Sequence, residues 1–333
     1  MNGLSLIIPI YNIENYIEEC LQSVVTSIKE SFNIQIILVD DGSQDKSLEI
    51  ALKFVEKYSF FIYIRKENGG LSDARNYGLK YAEYDYVAFL DGDDCITEIY
   101  FVEVFEVMHS EPDIIIFDWM DFGEGDYKQT VCGIELPEAL WTIQPSAWNK
   151  VYKRSLFNEV SFPIGKIYED VGTTYRLLHY VKNFVYINKP LYMYRKNRTG
   201  SILSTISPKI NDIYDVLEET YLFYKEKKEL SPYNLDGLCY QYVKILMWSN
   251  MYRQLKYYKL NIVGFHKKMK QTRSLIYTLF PDWKRNEYLL KKEDFFKGRF
   301  GNHFVERIDG LGKNIIKSIL VTSVLILINR RRI

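Results

Sequence analysis

The sequence predicts an α/β protein: a mostly parallel sheet with helices on both faces, followed by a C-terminal helical region. Three observations carry this expectation. Apolar runs of strand length alternate with amphipathic helical patterns over the first 120 residues. The runs are almost continuously Ile, Val and Leu, as strands covered on both faces require. Beyond Pro208 the strand signals give way to long Leu/Tyr/Lys-rich helical patterns.

The elements follow in order. LSLIIPI precedes a helical stretch from Glu14 to Lys29, and IQIILVDD precedes one from Asp45 to Tyr58. FFIYIRKE leads to Ser72–Tyr81, DYVAFLDGDD leads to Ile99–His109, and DIIIFDWM closes the series. The segment 123–207 is mixed and reads as a continuation of the same unit, covering its active edge. The expected domains are therefore 1–207, with halves 1–122 and 123–207, and a helical region 208–333.

Composition narrows the function. The 333 residues carry 43 Lys and Arg against 43 Asp and Glu. A zero formal charge argues against a protein that neutralises nucleic-acid phosphates. The charge is uneven, however. From His266 to Ile333 there are 16 basic and 6 acidic residues, an excess of +10 balanced by −10 over the rest. The four cysteines, Cys20, Cys95, Cys132 and Cys239, form no CxxC pair, so neither a zinc site nor a dense disulfide framework is indicated. With no signal-like leader, a cytoplasmic location is expected.

On an open parallel sheet, ligands bind beyond the carboxyl ends of the strands. Those ends here read Tyr11-Asn12, Asp40-Asp41-Gly42-Ser43 and Asp91-Gly92-Asp93-Asp94. Strand periodicity places Asp91 and Asp93 on one side, and such hard oxygen donors suit Mn²⁺ or Mg²⁺. Taken alone, such an acidic triplet is more often a turn with Asp94 as a helix cap.

Four elements in order change that balance: IIPIYN, VDDGSQD at 39–45, GGLSDARNYG at 69–78, and FLDGDD. Together they resemble the family-2 glycosyltransferases, over roughly the first 200 residues. The resemblance implies the Rossmann-like GT-A fold and a UDP-sugar donor. Pro9 and Tyr11 would then line the base pocket, and Asp41, or Asp40, would accept the uracil imide N–H. Arg75 would meet the donor phosphates or the metal-side carboxylates, and Asp91 and Asp93 would hold the metal. The catalytic base of an inverting transfer would be Asp170 of the Glu169-Asp170 pair, with Glu169 the alternative. Arg195 and Arg198 in YMYRKNRTGSI would belong to a basic loop over the donor. Trp148 is assigned either to a sugar face or to the core. His179 and His303 are not assigned to the metal.

The apolar decamer Ile319–Ile328, followed by Arg330-Arg331-Arg332, would span about 15 Å as a helix, too short for a hydrocarbon core of about 30 Å. The segment 311–333 therefore reads as a peripheral helix at the inner face of the cell membrane, or as a homodimer or intramolecular packing surface. A lipid-linked saccharide acceptor fits the membrane reading. Two rival classes make different demands. A nucleotidyltransferase would need a basic, Gly-rich loop where this chain has Tyr11-Asn12-Ile13-Glu14, and a saccharide-binding scaffold would need no carboxylate set.

Overall fold

The computed structural model describes residues 3–29, 31–123, 128–134, 140–196, 206–259 and 261–291, together with 309, 310, 313, 314 and 316. The chain separates into two compact units, Met1–Ser201 and Ile202–Ile333.

In the first unit, β1 (Leu4–Ile10), β2 (Ile34–Asp40), β3 (Phe61–Arg65) and β4 (Tyr86–Phe89) alternate with α1 (Ile17–Ser27), α2 (Ser47–Lys57) and α3 (Leu71–Leu79). These four strands pair in parallel in the order β3-β2-β1-β4. Every residue of β1 and β2 is buried, and successive side chains serve opposite faces. Leu6, Ile8, Ile36 and Leu38 join Ile17 and Leu21 of α1 in one core cluster. Ile7 and Val39 point to the other face, where α3 lies so close that a Cβ on Gly78 would stand 2.5 Å from Ile7 Cγ2 and 3.0 Å from Val39 Cγ2. Gly78→Val is expected to cost about 1–3 kcal/mol by forcing α3 off the sheet, visible as a lower urea midpoint.

The strands that follow are β5 (Cys95–Ile96), β6 (Ile114–Phe122), β7 (Lys128–Val131), β8 (Lys150–Lys153) and β9 (Phe184–Arg195), with α4 (Tyr100–Met108) and α5 (Glu169–Leu177). They extend the sheet as β4-β8-β6-β9-β5, and β7 pairs with the far end of β6. This half is mixed. β8 runs antiparallel to both β4 and β6, because among the described residues no long helix lies between β6 and β8 to carry the chain back across the sheet. β5 is a two-residue strand absent from the sequence reading; it pairs with β9 at Cys95↔Met193.

The second unit is helical, with α6 (Asp212–Glu226), α7 (Pro232–Lys244), α8 (Asn250–Tyr258), α9 (Ile262–Leu279) and α10 (Glu287–Lys291). Ser231 caps α7 ahead of Pro232, and Asn261 caps α9 through Gly264 N at 2.9 Å. A π-helical turn, Ile245–Ser249, joins α7 to α8. No helix among the described residues is long and apolar enough to cross a membrane. Most of 311–333, including Ile319–Ile328 and the terminal arginines, lies outside the described residues.

Candidate active site at the carboxyl edge of the sheet

The loops after β1 and β2 are stapled together. Ser43 Oγ accepts from Asn12 N, Asn12 Oδ1 from Gln44 N, Ser47 Oγ from Ile13 N, Asp45 Oδ2 from Glu14 N, and Glu14 Oε2 from Lys46 N. Tyr11 is thereby held at the edge with half of its surface in solvent (49%), well placed for stacking on a flat ring. Pro9 sits lower. It is buried in β1 opposite Val39, and its carbonyl lies 3.0 Å from where a Gly92 Cβ would be, so it supports the next loop instead of facing outward.

Asp40 and Asp41 are both buried and both occupied. Asp40 accepts from Ser43 N at 2.8 Å and Tyr63 Oη at 2.8 Å, with Arg65 Nε at 3.3 Å. Asp41 accepts from Lys66 Nζ at 2.6 Å, Gly69 N at 2.9 Å and Gly70 N at 2.7 Å. Lys66 also meets Asp73 at 2.6 Å. Asp41 thus shapes the Gly-Gly loop that starts α3, where Gly70 takes φ +85°, open to glycine without strain. A carboxylate oxygen takes up to two hydrogen bonds, so Asp41 Oδ2 still has a lone pair for a ligand N–H.

The acidic triplet is a turn, which corrects the strand-periodicity argument: β4 ends at Phe89, and Asp94 N bonds Asp91 O at 2.9 Å. The turn, not the pleat, orients Asp91 and Asp93. Gly92 fits closely there: a Cβ would stand 3.0 Å from the Pro9 carbonyl oxygen and 2.5 Å from Ile13 Cδ1. Asp94 points inward, accepting from Tyr192 Oη at 2.7 Å and Arg195 N at 2.7 Å. Burial, with the Asp93 and Asp91 carboxylates, pushes its carboxyl well above the usual range. Asp94 is therefore an anchor of the turn.

Arg75 joins this turn to a distant segment. Projecting from α3 and 2% exposed, it donates from Nη2 to Asp91 Oδ1 at 2.7 Å and from Nη1 to Glu169 Oε1 at 2.9 Å. Its guanidinium also lies over the rings of Phe162 and Phe89, at 5.3 and 5.9 Å. Burial disfavours the charge, but Asp91 and Glu169 outweigh it and hold the guanidinium firmly protonated. Asn76, its neighbour, clamps Phe162 through both backbone groups at 2.8 and 2.9 Å.

Glu169 and Asp170 occupy the first turn of α5, where the helix dipole favours carboxylates. Tyr168 before them adopts φ 68°, a left-handed conformation that costs a residue with a Cβ about 1–3 kcal/mol and turns the chain sharply into the helix. Asp170 accepts from Val171 N at 2.8 Å. Burial and the Glu169 charge, only partly opposed by Arg75 and Lys150, push its carboxyl up to about 7.

The other sequence-derived residues fall differently. Arg195, expected over the donor, packs beside the acidic turn. Its Nε donates to Asp93 O at 2.8 Å, its Nη2 to Glu19 at 2.6 Å, and its guanidinium lies 4.4 Å from the Phe122 ring. It ends β9, where strand pairing holds it in place and leaves no freedom to close like a loop. Arg198 and His303 lie outside the described residues. Trp148 is partly buried: it stacks on Tyr192 at 4.4 Å and Tyr194 at 5.4 Å, meets Trp119 edge-on and packs against the core cluster. His179 rests edge-on against Tyr180. Lys150 and Asn76 were missed as site-supporting residues. Asn76 stood within a quoted motif, whereas Lys150 is distinguished only by burial, which no local pattern reveals.

Among the described residues no group of three or more His, Cys, Asp or Glu side chains is arranged to hold a metal. Mg²⁺ or Mn²⁺ at a diphosphate needs only one or two carboxylates, the remaining ligands being waters and phosphate oxygens. With Asp91 Oδ1 engaged by Arg75 and Asp94 turned inward, Asp91 Oδ2 and Asp93 are the carboxylates of the turn that would hold such an ion.

The Glycosyl transferase family 2 model matches residues 5–168. The putative glycosyltransferase EpsH of Bacillus subtilis is 31% identical over 287 residues, covering 79% of this chain and 82% of EpsH. Glycosyltransferase GlyA of Streptococcus pneumoniae serotype 4 is 35% identical over 219 residues, 60% of this chain; the chain spans only 31% of GlyA's length. Among solved structures, the fold is similar to S. aureus TarS 1-349 in complex with UDP-GlcNAc, with TM-score 0.73 over 96% of this chain and 90% of that one; at 19% identity this shows the fold.

Proposed function

Because the chain belongs to glycosyl transferase family 2, we propose that it transfers a sugar from a UDP-sugar to a saccharide hydroxyl, with inversion at the anomeric carbon. One observation carries the reading: the buried Arg75 guanidinium joins Asp91 of the acidic turn to Glu169, the neighbour of Asp170. Donor-side and acceptor-side carboxylates thus converge on one cation although 78 residues separate Asp91 from Glu169. Residues 1–122 form the nucleotide-sugar half and 123–207 the acceptor half.

Tyr11 and the loop held by Asp41 receive the uridine, and a carboxylate acceptor at that position selects a pyrimidine carrying a ring N–H. Asp170 accepts the proton of the acceptor hydroxyl while the hydroxyl oxygen bonds to the anomeric carbon. The bond from that carbon to the diphosphate oxygen breaks on the opposite side, and UDP departs with the electron pair. Mn²⁺ or Mg²⁺ at Asp91 and Asp93 would neutralise charge on the departing diphosphate. Arg75 fixes the position of both carboxylate groups, and Glu169 is the alternative base. A carboxyl near 7 is well matched to this work at neutral pH, being both substantially ionised and basic. The acceptor we propose is a lipid-linked saccharide at the inner face of the cell membrane, approached through 311–333.

The test is transfer and donor hydrolysis with a panel of UDP-glucose, UDP-galactose and UDP-N-acetylglucosamine, before and after metal removal by EDTA. Activity is expected to vanish on chelation and return with Mn²⁺ or Mg²⁺. Full activity after thorough removal would overturn the role of Asp91 and Asp93.

A further inference from the structure

Lys150, the first residue of β8, is completely buried. Its Nζ donates to the carbonyl oxygens of Gln144 and Ser146 and to Asn149 Oδ1. An ammonium has three N–H donors and no acceptor, so three oxygens use it fully; a neutral amine would leave one oxygen without a donor. The same turn is tied to α5 from the other side. Thr174 Oγ1 donates to Pro145 O at 2.6 Å, Tyr175 Oη to Ile143 O at 3.3 Å, and the Trp141 and Tyr175 rings stack at 5.8 Å. A buried charge thus organises a turn to which α5 is tied, and α5 presents Asp170 in its first turn.

We propose that Lys150 is a positioning residue for sugar transfer: its ammonium locks the turn at 144–149 beneath α5 and supplies positive charge that favours ionised Asp170. This rests on the reading of Asp170 as base. Asp170 and Lys150 act on each other electrostatically: the carboxylate supports the ammonium against burial, which draws Lys150 down to about 7. The other groups acting on Asp170 are Glu169 on its own helix, Arg75 from α3 and the Tyr152 hydroxyl from β8. Of the two cations, Arg75 already serves two carboxylates, so replacing Lys150 leaves that ion network in place.

The experiment reads the carboxyl directly. In protein labelled with carbon-13 aspartate, the Asp170 signal is assigned by its loss in Asp170→Asn and followed against pH in wild type and Lys150→Met. The midpoint is expected to rise by about one unit in Lys150→Met, the effect of losing one nearby opposite charge. An unchanged midpoint would overturn the inference. Should Lys150→Met not fold, the reciprocal measurement serves: in Asp170→Asn, the nitrogen-15 signal of Lys150 Nζ is expected to titrate lower by a similar amount, since coupling between two sites is mutual. An unmoved nitrogen signal overturns the inference equally. The acid limb of the transfer rate, measured in parallel, is expected to follow the carboxyl. A moved carboxyl with an unmoved rate profile overturns Asp170 as base, and with it the place of Lys150 in the reaction; an unmoved carboxyl removes Lys150 alone.

Discussion

Asp170→Asn is expected to lower sugar transfer by about 10²–10⁴-fold, the range supplied by a positioned general base, while leaving UDP affinity unchanged. The amide keeps the shape and the bond from Val171 N but cannot take the proton of the acceptor hydroxyl. In wild type the rate is expected to rise with pH through about 7 and fall below it, because only the ionised carboxyl is a base. The same shift sets the sign of a stability effect. A carboxyl whose folded pKa lies above its unfolded value contributes most stability below the unfolded value and loses it as pH rises through about 7. Asp170→Asn is therefore expected to melt higher than wild type at pH 8 and not at pH 4. A fully active Asp170→Asn enzyme would remove this residue as the base and turn attention to Glu169.

Arg75→Met is expected to cost about 3–5 kcal/mol of stability and to abolish transfer, as when one member of a buried ion network is removed and its partners remain. Asp91 and Glu169 would be left facing one another across an apolar side chain beside Phe89 and Phe162. Arg75→Lys is expected to fail as well, since a single ammonium cannot reproduce the fork that reaches both carboxylates at 2.7 and 2.9 Å. Urea unfolding and UDP titration read the two losses separately. A wild-type urea midpoint for Arg75→Met would show that the bridge is dispensable.

How much of this was legible beforehand depends on the range of the interaction. β1, β2 and β4 were readable because both faces are buried, which forces an unbroken apolar run in the sequence. β5 was not: two residues carry no period, and its pairing partner on β9 lies about 100 residues away. Asp91 and Asp93 were found by composition, but their orientation was misattributed, since strand geometry stops at Phe89 and a tight turn takes over. Arg195 was found by charge, and a charge count cannot distinguish a guanidinium over a ligand from one seated against Phe122 and the Asp93 carbonyl.

By itself the sequence determined the α/β class, the order of the strand and helix elements through β6 apart from β5, the family, and the residue types gathered at the sheet's carboxyl edge. These follow from local patterns: burial on both faces of a strand, helical periodicity, and short motifs in fixed order. Only the tertiary structure decided which of those groups meet. It alone made Arg75 the junction of Asp91 and Glu169, turned Asp94 inward, seated Arg195 beside the turn, and buried Lys150 in the 144–149 turn. The physical reason is that desolvation and ion pairing act through space, so the strength and partner of a charge are set by what the fold packs around it.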